Sequence, residues 1–179
     1  MPPKRSKRGS RARGAPTGVV PDQALRDQVI DLLRVGHAHV GFKDAVRDWP
    51  VALRGEKPPG QPFTGWRLLE HLRLAQWDIV EFTLSATHVS PDWPAGYWPE
   101  QDGPPDAAAW DRSVAQVEAD RDRMVRIVRA PTTDLFARIP HGSGQTVLRE
   151  ALLIADHNAY HVGELVLLRR LLGIWKRDR

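Results

Sequence analysis

The sequence predicts an all-α protein, an antiparallel four-helix bundle, and three observations carry that expectation. The 15 prolines and 14 glycines of the 179-residue chain gather in the first 21 residues and in two stretches, 50–65 and 91–105. The long runs between them are nearly free of helix breakers, and their apolar residues recur at helical spacing. Four such runs occur with no convincing strand, and a chain that is 41% hydrophobic can bury one ordinary core.

The first helix is expected to open after Pro21, with Asp22 as N-cap, and to run to about Val35 on Leu25, Val29, Ile30, Leu32 and Leu33. The segment Gly36-His-Ala-His-Val-Gly41 interrupts it, and Phe42 to Trp49 reads as a short further helix stopped by Pro50. A second long helix should start at Thr64, an N-cap with Phe63 and Leu68 placed as a hydrophobic staple, and reach Leu84. Its inward stripe holds Leu68, His71, Leu72, Ala75, Ile79 and Phe82. The loop over 86–105, with Trp93-Pro and Tyr97-Trp-Pro, is longer than ordinary connections, as lids and binding loops often are. The third helix is expected from Asp106 to about Arg129, ended by Pro131, and the last from Thr146 to Trp175, interrupted only by Gly163 and Gly173. The seven tryptophans read as packing residues.

The net charge of +4 divides unevenly along the chain. Residues 1–20 hold six bases and no acid, leaving 20 bases against 22 acids in 21–179. Gly, Pro and Ser enrich the basic segment, so 1–20 is expected to be a disordered tail making at most weak, salt-sensitive contact with polyanions. Residues 21–179 form the folded domain, whose mild acidity argues against a nucleic-acid scaffold. With no cysteine, disulfides, thiolate ligands and a protein-borne thiol nucleophile are excluded. No segment has the apolar length of a signal-peptide core or a membrane span, and a cytoplasmic location is the expectation.

His157 and His161 lie four residues apart on one face of the last helix, flanked by strongly apolar sequence. That spacing lets two imidazoles converge on one ion, although such pairs also occur on wet surfaces and as hydrogen-bonded core residues. His71, on an inward stripe, is the natural third ligand, because facing helices of a bundle can supply one site jointly. Glu164 follows His161 by three residues and is placed either to orient a ligand ring, to fill a fourth metal position, or to pair with an Arg. Asp78, seven residues after His71, is a comparable outer-shell candidate. His37, His39, His88 and His141 fall at breaks and loops, where solvent-facing or packing roles are expected.

Trp66-Arg-Leu-Leu-Glu-His71-Leu-Arg-Leu-Ala-Gln-Trp-Asp-Ile79 and Ala155-Asp-His157-Asn-Ala-Tyr-His161-Val-Gly-Glu-Leu-Val-Leu-Leu-Arg-Arg-Leu-Leu-Gly173 resemble the DinB/YfiT-like superfamily, and the resemblance covers 22–176. It implies a four-helix bundle in which one His of the second helix and a His-x-x-x-His pair of the last bind a divalent metal, commonly nickel or zinc. His71, His157 and His161 match those positions. Relatives often read His-x-Gly-Gln where this chain has His161-Val-Gly-Glu164. The resemblance further implies a metal-dependent hydrolase or thiol S-transferase that uses a low-molecular-weight thiol such as bacillithiol or mycothiol on a small-molecule substrate, and a homodimer. The alternative is a non-catalytic, stress-related metal-binding bundle whose ion ties two helices together.

Overall fold

Helices occupy the chain largely where the breakers leave room. A computed structural model describes residues 22–34 and 38–175; the basic segment 1–20 and His37 lie outside these. Among the described residues the protein is all-helical: α1 Gln23–Arg34, the short α2 Phe42–Val46, α3 Gly65–Leu84, α4 Ala109–Arg129 and α5 Val147–Leu171. One-turn 3-10 helices occur at Val51–Leu53 and Ala95–Tyr97, and an isolated β-bridge joins Arg138 and Thr146. Among the described residues, no helix is long and apolar enough to cross a membrane.

The capping residues behave as their chemistry requires. The Thr64 and Thr146 hydroxyls accept the backbone N–H groups of Arg67 and Arg149, three residues into α3 and α5. Gly173, at φ 71°, takes the left-handed conformation just after α5 that a side chain would resist. The third long helix begins later than Asp106 because that carboxylate holds the Ala108 N–H and the Arg112 guanidinium from outside the helix. The short helix ends at Val46, before the expected Trp49, where Asp48 turns to φ 52°.

Two buried arginines stand where helices end. Arg26 of α1 donates to the carbonyls of Val128, in the last turn of α4, and of Ala130 and Thr133 just beyond it, while pairing with Asp22 at 2.7 Å. Arg169 of α5 donates to the carbonyls of Asp44, Ala45 and Arg47 at the end of α2, with its guanidinium between Trp49 and Trp175. Each supplies positive charge and donors to carbonyls a helix leaves unpaired.

One expectation is corrected. An antiparallel order throughout does not hold, because α3 and α4 run parallel. Ser113 donates to Glu70, Gln76 to the Val117 carbonyl and Arg123 to Glu81, so residue numbers rise together along both helices. By contrast, α5 is antiparallel to α3: His71 meets His161, and Gln76 meets Asn158. Arg26 beside Val128 and Arg34 near Asp122 make α1 antiparallel to α4. The cause is the connection after α3. Residues 85–108 number 24, ample to return along a 20-residue helix about 30 Å long, and so form a crossover.

The core has two parts. Trp49, Trp66, Leu68, Leu69, Leu72, Trp110 and Leu165 belong to one cluster; Val29, Leu33, Val80, Met124, Leu135 and Ile154 belong to the other.

Candidate metal centre

The apolar stripes that bury α3 and α5 against each other also carry their histidines inward. Among the described residues, His71, His157 and His161 form a group whose ligand nitrogens all lie within 4.8 Å of one another. His71 Nε2 is 3.2 Å from His157 Nε2, and the His71 and His161 rings meet edge to face at 4.6 Å between centroids. His71 and His161 are buried and His157 is half-buried. Glu164 is not a member of the group.

The hydrogen bonds fix two of the three ring tautomers. His71 Nδ1 lies 2.9 Å from the Tyr97 carbonyl, which can only accept, so Nδ1 carries the proton and Nε2 presents a lone pair. His161 Nδ1 lies 2.7 Å from Glu164 Oε2, which gives the same tautomer. His157 Nδ1 is buried without a hydrogen bond of good geometry. The donor set is therefore three neutral imidazoles, two held with Nε2 bare, a set that suits divalent transition metals. That arrangement fits a divalent cation.

Electrostatics point the same way. Burial, reinforced by the neighbouring rings, depresses the pKa of His157 and His161 to about 4, and burial lowers that of His71. Burial also raises the Glu164 carboxyl. Because the unfolded histidines titrate near 6.5, the unfolded chain binds more protons than the native one between about pH 4 and 6.5. Stability of the metal-free protein is therefore expected to be fully present above pH 6.5 and to fall as pH drops through that window. Thermal melts in chelator at half-unit steps measure this, and a flat profile from pH 4.5 to 6.5 would contradict it.

The outer residues have partners of their own. Glu164 orients His161 and is itself a hydrogen-bond partner of Tyr160. Asp78 acts one step further out: it accepts the Tyr97 hydroxyl at 2.6 Å and stands 2.7 Å from His88 Nε2. The Tyr97 hydroxyl is pushed up to about 12, first by burial and then by that bond. The structure does not bring His39 or His141 into the group: His39 bonds the Val40 carbonyl, and His141 bonds the Phe82 carbonyl. Sequence reasoning did not find the Tyr97 carbonyl or Trp98, whose ring lies on His71 at 3.9 Å and 2°. The one available signal was the aromatic, proline-rich loop that carries both.

A scan against protein-family models, a search of curated proteins and a search of solved structures each find no match to this chain.

Proposed function

We propose that the chain is a divalent-metal enzyme of the DinB-like type, with His71, His157 and His161 as ligands to nickel or zinc. In this reading it is a thiol S-transferase or hydrolase that takes a low-molecular-weight thiol from solution. The observation that carries it is the pair of oriented tautomers: the Tyr97 carbonyl and Glu164 occupy the outer nitrogens and leave Nε2 of His71 and His161 free beside that of His157. One histidine on the second long helix and two on the last also agree with the motifs that suggest the family.

A divalent ion held by three neutral ligands supplies Lewis acidity and lowers the pKa of water or a thiol bound to it. The chain's own groups do the rest. Glu164 holds the proton on His161 Nδ1 through Oε2, a contact that supports its reading as an orienting group and an open fourth position. Trp98 and the buried faces of α3 and α5 exclude water from one side of the site. The chain has no cysteine, so any thiol must come from outside.

Cobalt substitution tests this directly. Titrating bacillithiol, mycothiol or glutathione into cobalt-loaded protein should produce an intense sulfur-to-metal charge-transfer band, absent in His161→Ala. If cobalt binds with unit stoichiometry and no thiol produces the band, the ion is structural and the alternative reading, a non-catalytic bundle, replaces this one.

A further inference from the structure

The crossover between α3 and α4 reaches the metal centre with two consecutive residues, and they hold one ligand from two directions. The Tyr97 carbonyl accepts the Nδ1–H of His71 at the edge of the ring. The Trp98 ring lies flat on the same imidazole, 3.9 Å away and within 2° of parallel. Phe63, just before α3, stacks on the far side of Trp98 at 4.2 Å and 11°, so three rings form one column. The Arg67 guanidinium sits 5.9 Å from both the Phe63 and the Trp98 rings.

The two residues are themselves fixed to the bundle at separate points. The Tyr97 hydroxyl is bound by Asp78, two turns along α3 from His71, and Asp78 also meets His88 near the start of the crossover. Further along, the Asp102 carbonyl accepts the Thr64 hydroxyl, and its carboxylate stands 3.5 Å from both Lys57 and Arg67. A ring pinned by one hydrogen bond can still swing about it. Face-to-face stacking removes that motion, so edge and face contacts together leave His71 Nε2 one direction to point.

We propose that Tyr97 and Trp98 are positioning residues of the metal centre, and that docking of the crossover and binding of a divalent cation are coupled through them. This rests on the metal-binding reading above. Because the coupling is thermodynamic, it works both ways: a docked crossover preorganises His71, and an ion on His71 holds the crossover down. Outer-shell groups of this kind are worth about 10- to 100-fold in metal affinity.

Two measurements with zinc test it. Hydrogen exchange on the wild-type protein, metal-free and zinc-loaded, should show slower exchange on loading at the Gly96, Tyr97 and Trp98 amides, which bond the carbonyls of Asp92, Pro94 and Ala95 within the crossover. Competition titrations should show zinc binding weakened about 10-fold or more in Trp98→Ala and in Tyr97→Phe, with Trp98→Phe recovering most of the loss. Each metal-free variant is melted alongside: a purely structural role lowers the metal-free melting temperature and leaves the zinc Kd unchanged. If wild type binds no zinc, the metal-binding reading itself fails. If wild type binds zinc while the amides exchange at the same rate in both forms and all three variants keep the wild-type Kd, the coupling is wrong.

Discussion

Replacing His161 by alanine is expected to abolish stoichiometric divalent-metal binding, and His157→Ala and His71→Ala should do the same. Each leaves two imidazoles in a pocket built for three, so the loss should exceed the roughly 10- to 100-fold typical of outer-shell changes. Wild-type protein, in contrast, should carry close to one ion per chain. His71→Ala is the most telling of the three, because it leaves the local pair on α5 intact and removes the one ligand that comes from α3. Metal analysis after dialysis, followed by competition titration with zinc, reads the effect. Full occupancy in any two of the three variants would sink the assignment. Chelator should lower the melting temperature of wild type at pH 7.5 and leave that of the variants unchanged, since only the native fold assembles the site.

The second large effect is on stability. Arg26→Met is expected to destabilise the fold by about 1–3 kcal/mol, the cost of leaving buried acceptors without a donor. The side chain is only 3% exposed and satisfies three carbonyls around the end of α4 together with the Asp22 carboxylate. Methionine restores most of the volume and none of the donors. Urea unfolding measures the difference, and a change under about 1 kcal/mol would show that water replaces the guanidinium without penalty. Metal content should be unchanged, because Arg26 bonds the far end of α4.

What the sequence showed and what it did not divide along physical lines. Thr64 and Thr146 begin helices where their hydroxyls can cap, and Leu84 and Arg129 end them, because these signals are local. The three histidines were legible for a similar reason: two share a helical face and the third lies on an inward stripe. Helix direction was not legible, since no periodicity says whether a 24-residue connection turns back at once or crosses the whole bundle. Nor was the role of Arg26, whose spacing fits an ordinary surface position and whose partners Val128, Ala130 and Thr133 lie about a hundred residues away. The Tyr97 carbonyl is invisible for a deeper reason, because every residue has one.

The parallel course of α3 and α4 has a consequence for how the chain must fold. Helical bundles usually fold fast because neighbouring helices close short hairpins, whose contacts are local in sequence. Here the polar contacts between α3 and α4 join residues 41 to 43 positions apart, those between α3 and α5 join residues 82 and 86 apart, and Arg26 reaches Val128 across 102. An all-α chain thus carries contact separations more often met in β-sandwiches, and loop-closure entropy must be met before most of its tertiary contacts form. His71 and His157 stand at one of the longest of these separations. The centre therefore needs one of the longest chain closures in the fold, and until that closure is made the chain offers an ion only the adjacent pair on α5.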